Sequence, residues 1–204
     1  MRCDGGAQRY LSLATRNAAE ALPAVTEGRN NRIERAVQGT ADMMTATQKS
    51  SIVELPSGPT DQSLKNLQAY WASAKGDRIA PPRSAIYPEE IDIALLPNIA
   101  LLDVVGDPPR FRFRLFGTGL VMSYGEDVTG RYVDEIDLSS ISPDILSHFT
   151  AVVRECRPQT VRTTLWKRAD ERYIEYERIG LPLSDNGTRV NMILCGFAVI
   201  RTWH

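Results

Sequence analysis

Cysteine, histidine and long apolar runs are scarce in this 204-residue chain, and each scarcity excludes a class of function. Cys3, Cys156 and Cys195 lie far apart without a CxxC, and only His148 and His204 could join them around a metal, so neither a disulfide framework nor a structural zinc site is expected. His148 is the only histidine inside the chain and no GxSxG is present, which argues against triad hydrolysis. No run of about 18 apolar residues occurs, and the first residues, with Arg2, Arg9 and Arg16, lack the apolar core and cleavage site of a secretory leader. A cytoplasmic protein that does not engage a membrane is the expectation. Charge of one sign is missing too: 24 Lys and Arg face 25 Asp and Glu, so no overall field favours nucleic acid.

What is present, 43% hydrophobic and 24% charged residues, describes an ordinary globular chain. Residues 1–55 form a separate region, poor in aromatics, with two stretches of helical spacing: Gln8 to Leu22, and Arg29 to Met44 with Ile33, Val37, Ala41 and Met44. Such helices are marginal alone, so a mobile or weakly helical extension is expected, and Met43 or Met44 offers an alternative start. Residues 56–98 read as a helical cap and linker. Asp61 can cap a helix from Gln62 to Lys75 whose Leu64, Leu67, Trp71 and Ala74 form one stripe, and Gly76 ends it. A proline-rich connection follows, then a short helix opened by Pro88 and reaching Leu96.

Residues 99–204 carry the strands. Ile99 to Val105 is almost wholly apolar, and Arg110 to Phe116 alternates, sending Phe111, Phe113 and Leu115 to a core and Arg110, Arg112 and Arg114 to the other side. The arginines suit a solvated edge, or alternatively a phosphate or acidic partner. Short helical turns fit residues 117–140, and Ser142-Pro143-Asp144 opens a longer helix to about Cys156 with Ile145, Phe149 and Val152 on one side. In the closing meander, a loop at Ala169-Asp170 sets Trp166 opposite Tyr173, Arg162 opposite Glu177 and Thr163 opposite Tyr176. A turn at Asn186-Gly187 sets Leu183 opposite Val190 and Leu181 opposite Met192. The last strand, from Val190 to Ile200, is apolar on both faces through Met192 and Leu194 on one side and Ile193, Cys195, Phe197 and Val199 on the other. It must be central and covered twice, by the inserted helices and by the Asp61–Lys75 helix or its copy in a second chain. The fold class is therefore α+β: a five-stranded antiparallel sheet with helices inserted between strands two and three, plus an N-terminal helical cap.

That order, together with Tyr70-Trp71, Arg114-Leu-Phe-Gly-Thr118 and Asp127-Val-Thr-Gly130 in sequence, resembles the PAS superfamily, specifically a stand-alone family of alphaproteobacterial type, over residues 60–200. The resemblance implies a non-catalytic sensory or regulatory module that binds a small ligand between the sheet and the long helix, a signalling protein, or both. It also implies a homodimer, here through the Leu64, Leu67 and Trp71 helix. The residues suited to line a ligand space are Phe113, Leu115, Met122, Tyr124, Phe149, Val153, Thr163, Tyr176, Ile193, Cys195 and Phe197, with Tyr124, Thr163 and Tyr176 as polar handles. Core packing accounts for the same residues without any ligand, so a ligand-free dimerisation module stays open.

Two further readings stay open. Haem-binding members hold iron through a histidine on the long helix, which makes His148 a candidate. An enzyme with a curved-sheet pocket would use Tyr124, Tyr176, Arg178 and either Glu175 or Asp127 for acid and base work, although alternation separates Glu175 from Tyr176. The flavin-photosensor cysteine motif is missing, and Cys156 and Cys195 read as small apolar residues. Gly117-Thr-Gly119 lacks the third glycine of a dinucleotide loop.

Overall fold

The computed structural model describes residues 51–137, 142, 144–167 and 171–204. The chain divides into two units, Met1–Thr47 and Gln48–His204, and the described residues all belong to the second. The stretches Gln8 to Leu22 and Arg29 to Met44, and the loop at Ala169-Asp170, lie outside the described residues.

Strands β1 (Ser51–Glu54), β2 (Ile99–Val105), β3 (Arg110–Phe116), β4 (Gln159–Lys167), β5 (Arg172–Leu183) and β6 (Met192–Trp203) form one sheet in the order β1-β4-β5-β6-β2-β3. Every pairing is antiparallel. Helix α1 (Gln62–Lys75) precedes β2, while α2 (Thr118–Tyr124) and α3 (Ile145–Glu155) are inserted between β3 and β4. The sheet thus has six strands rather than five. The additional one, β1, is a four-residue edge strand laid against β4 with Ile52 opposite Thr163. Its two β-branched residues between serines and Leu55-Pro56 are too short a signal to stand out from a linker.

β6 lies between β5 and β2, as its two apolar faces require. On the outer face, Leu64, Leu67 and Trp71 of α1 pack with Ile179, Leu181 and Leu183 of β5 and Met192 and Leu194 of β6. On the inner face, Ile145, Phe149 and Val152 of α3 pack with Ile193 and Cys195 of β6 and with Phe111 and Phe113 of β3. Two glycines on the central strands let the helices approach closely. A Cβ on Gly196 would come within 2.8 Å of the Leu67 side chain, and one on Gly180 within 2.7 Å of Val152. The apolar stripe of α1 is occupied by the chain's own sheet, so Leu64, Leu67 and Trp71 cannot form a dimer face, contrary to the expectation. The stripe is not left over for a second copy because β5 and β6 together offer an apolar surface wide enough to cover it.

Helix α1 starts and stops where the capping residues place it: the Asp61 carboxylate accepts from the Leu64 N–H at 3.0 Å, and Gly76 ends it at φ 53°. The β4–β5 register also agrees, with Trp166 opposite Tyr173, Arg162 opposite Glu177 and Thr163 opposite Tyr176. Three elements differ. Residues 88–96 are two single 3-10 turns, Pro88–Glu90 and Leu96–Asn98, because Ile91 is extended and the Asp92 carboxylate accepts from Ala94 N–H in a local turn that competes with a helix. Leu183 faces Met192, and Leu181 faces Leu194, a slip of two residues from a tight Asn-Gly turn. The loop is longer because Asn186 accepts from Thr188 and Arg189, while Asp185 and Asn191 bond reciprocally. A slip of two preserves the face of the paired residues, but Val190, left in the loop before β6, packs with the inner core instead of opposite Leu183. Finally, a bulge leaves Arg114 unopposed between the pairs Leu101–Leu115 and Leu102–Phe113, so alternation reverses beyond it.

Trp71 anchors the cap: its ring is buried and its indole N–H donates to the Pro182 carbonyl at 2.7 Å. Trp71→Ala is expected to cost about 3–5 kcal/mol in urea unfolding. Trp71→Phe, which removes mainly the hydrogen bond, is expected to cost about 1–2 kcal/mol. An unchanged stability in Trp71→Phe would show that the bond to Pro182 contributes nothing.

Candidate functional site

The inner face is apolar at the β6 and β2 end and polar at the β4 and β5 end. Alternation along β5 turns Tyr176 and Arg178 inward, and Thr163 on β4 stands opposite Tyr176. Arg178 is fully buried. Its Nε–H donates to His148 Nδ1 at 2.9 Å, and its Nη2 lies 3.3 Å from an Asp144 carboxylate oxygen. His148, on α3, places Nε2 at 3.1 Å from the Gln159 carbonyl. With one ring nitrogen accepting from a guanidinium, the other carries the proton and donates, which assigns the neutral tautomer. Burial, then the adjacent Arg178 cation, drives the His148 pKa down to about 3, against a weak opposing pull from the Gln159 carbonyl.

Around this core stand three hydroxyls. Burial raises the Tyr176 pKa, while Arg178 and the nearby Ser142 and Thr163 hydroxyls pull the other way. Ser142 and Thr163 lie close enough to influence that phenol, yet neither hydroxyl oxygen completes a well-aligned hydrogen bond. Arg178 Nη1 and Asp144 Oδ1 also stand buried without a partner among the described residues. Apolar rings close the cluster: Phe149 is 5.7 Å from the Arg178 guanidinium, and Phe197 is 6.2 Å from Tyr176.

Of the residues that sequence reading offers as a ligand lining, Phe113, Phe149, Ile193 and Cys195 are buried in the inner core, and Tyr124, Val153 and Phe197 pack partly buried against it. Thr163 and Tyr176 are buried beside Arg178. Two residues do not belong. Leu115 is 46% exposed because the Arg114 bulge turns it to the outer face, and Phe116 takes the inner place, 5.1 Å from Phe113. Met122 is 83% exposed, on the outward side of the seven-residue α2, whose Leu120 and Tyr124 turn inward. The Tyr124 hydroxyl reaches the Asp137 carbonyl at 3.4 Å.

His148 does not fit an axial haem ligand. Both ring nitrogens are engaged, and the ring lies against β5, where a Cβ on Gly180 would be 3.3 Å from Cε1. The acid–base set does not assemble either. Glu175 is held by Arg201 at 2.9 Å on the face opposite Tyr176, and Asp127 accepts from Thr129 N–H in a local turn. The carboxylate that does reach the inner cluster is Asp144. Among the described residues no group of three His, Cys, Asp or Glu side chains could hold a metal. Burial pushes the Cys195 thiol up to about 12, as befits a small apolar filler. The three strand arginines are each paired with carboxylates: Arg110 with Asp134 and Glu135, and Arg112 and Arg114 both with the single Asp103.

Between Tyr176 and Arg178, Glu177 turns to the outer face and is fully buried. Its carboxylate accepts from Thr60 N–H at 2.7 Å, Thr60 Oγ1 at 2.6 Å and Asp61 N–H at 3.0 Å, and it pairs with Arg162. Burial alone would raise its pKa, but these bonds hold it below the ordinary glutamate value. The clasp joins the β4–β5 pair to the start of α1. The Arg162–Glu177 register is readable in sequence, but nothing there brings in Thr60, 117 positions away. Arg178's inward direction follows from the same register, whereas its bonds to His148 and Asp144 depend on where α3 lands.

A six-stranded antiparallel sheet with inserted helices on its inner face and an N-terminal cap on the other defines an α+β module of PAS type. A family model described as PAS domain, PAS_5, matches residues 60–196, and the chain belongs to that family, whose members are in general sensory or regulatory modules and typically non-catalytic. Seven chains of solved structure match. One of them, "Structure of an RNA-binding Light-Oxygen-Voltage Receptor", is 15% identical with a TM-score of 0.41, over 74% of this chain and 38% of that one. This chain therefore spans well under half of that receptor's length. No curated protein matches the sequence. No described helix is long and apolar enough to cross a membrane.

Two pH effects follow. His148 has a folded pKa below its unfolded value of 6.5, so the unfolded chain binds the extra proton and stability falls as pH drops from 6.5 towards about 3. His148→Gln should flatten that slope in urea titrations at pH 7 and 5; an unchanged slope would contradict a neutral buried ring. Glu177 has a depressed folded pKa, so its contribution is present above the ordinary 4.5 and is lost as pH falls below it. Glu177→Gln should cost about 1–3 kcal/mol at pH 7, a difference that narrows in acid as the wild-type carboxylate protonates.

Proposed function

We propose that this chain is a cytoplasmic PAS sensor that takes up a small molecule between the inner sheet face and α3 and passes the signal to a protein partner. The observation that carries the reading is the polar cluster of Arg178, His148, Asp144, Thr163 and Tyr176 set into an otherwise apolar inner face. A domain that needed only a filled core would be no worse with hydrophobic residues at these positions, since buried ionic groups are costly and are often replaceable by apolar ones of similar volume. Polar groups convergent on an apolar space are, by contrast, what orients a bound molecule. Phe149 and Phe197 supply the apolar walls, and the signal leaves through surfaces outside the core.

The alternative, a ligand-free dimerisation module, draws support from the tight aromatic packing of Phe111 on Phe149 at 5.5 Å. Native mass spectrometry of gently purified full-length protein separates the two. A co-purifying small molecule of defined mass supports the sensor. A bare protein of doubled mass supports the dimerisation module and contradicts the ligand reading.

A further inference from the structure

Arg178 holds the clue to what such a molecule looks like. One edge of its guanidinium is taken: Nε by His148 and Nη2 by Asp144. Nη1, with two N–H groups, has no partner among the described residues although Arg178 is fully buried. Asp144 mirrors this: Oδ2 faces Arg178 and Oδ1 is buried without a partner. A buried donor and a buried acceptor are thus left unmatched on the two members of one ion pair. Leaving such groups unbonded costs each its full desolvation, so native structures satisfy them with protein, water or ligand.

The charges decide which ligand fits. Arg178 and Asp144 neutralise each other, and burial beside the Arg178 cation keeps His148, which accepts from Arg178 Nε, neutral. An anion would gain from a cation that is already compensated while meeting the Asp144 carboxylate. A cation would meet the reverse. A neutral group with an acceptor for Nη1 and a donor for Oδ1 satisfies both atoms at once, and the Thr163 and Ser142 hydroxyls can serve either role beside it. Phe149 and Phe197 lie next to the pair and favour an apolar remainder.

We propose that the Arg178–Asp144 pair is the polar end of the small-molecule site and selects an uncharged amide: a carbonyl beside an N–H on an apolar body. This rests on the ligand reading above and deepens it. The carbonyl accepts from Arg178 Nη1 and the N–H donates to Asp144 Oδ1. Both atoms are closed off from solvent in this structure. A ligand therefore enters by parting the side chains over them, a cost offset by the two hydrogen bonds it completes.

The test uses the full chain and three probes with one tail: hexanamide, hexanoate and hexylamine. Binding is read by thermal shift and by the Arg178 side-chain 15N–1H resonances. Hexanamide should raise the melting temperature and move the Arg178 signals, at concentrations at least about tenfold below those needed for the two charged probes. Asp144→Asn leaves the guanidinium uncompensated and should move the preference to hexanoate, and Arg178→Lys should abolish the hexanamide response. If Arg178→Lys does not fold, the Asp144→Asn switch still decides. A wild-type preference for hexanoate or hexylamine overturns the amide assignment while leaving the ligand reading intact. If all three probes are silent, native mass spectrometry decides: a co-purifying molecule without an amide overturns the assignment alone, and no bound molecule overturns both.

Discussion

The architecture depends on one strand being apolar on both of its faces. β6 alternates Met192 and Leu194 outward with Ile193 and Cys195 inward, so it cannot lie at an edge and cannot leave either face in water. Burying both faces requires a helix layer on each, and each layer must come close. Gly196 and Gly180 make that approach possible, one under α1 and the other under α3. The inner core, the outer core and the order of strands all follow from satisfying this strand, and so does the position of β5, which pairs with it along its length.

Much of this is legible in the sequence because it rests on local rules. The Asp61 cap, the Gly76 stop, the start of β3 and the faces of the residues on β5 and on β6 from Met192 to Val199 are set by neighbours within a few positions. The β4–β5 register is legible because an aromatic pair and an ion pair become consistent in the same alignment. What is not legible is what depends on competition or distance. The Arg114 bulge reverses Leu115 and Phe116 because β2 demands it, not because β3 signals it. The wider 184–191 loop forms because Asp185 and Asn191 bond each other, a pair that a tight Asn-Gly turn would hold apart. β1 is invisible until the β4 edge is there to receive it.

The candidate site divides in the same way. Its apolar walls, Phe149, Phe197 and Cys195, follow from periodicity alone. Its polar centre does not, because His148 is interpretable only once Arg178 and Gln159 are beside it. Read alone, a histidine on the long helix suggests a metal ligand; in place it is a neutral spacer that holds a guanidinium. Arg178 in turn looks like an ordinary strand arginine until its burial is seen. The residue that matters most chemically is the one whose type, on average, is found at the surface.

Three consecutive residues of β5 point alternately to the two sides of a single sheet. Tyr176 and Arg178 belong to the buried inner cluster, and Glu177 between them grips the first residues of the cap helix. The peptide units that join them are shared, so a shift of the β5 backbone at the inner pair is also a shift of the carboxylate that holds Thr60 and Asp61. The thickness of one polypeptide strand is thus all that separates the buried inner cluster from the cap helix on the opposite face of the sheet.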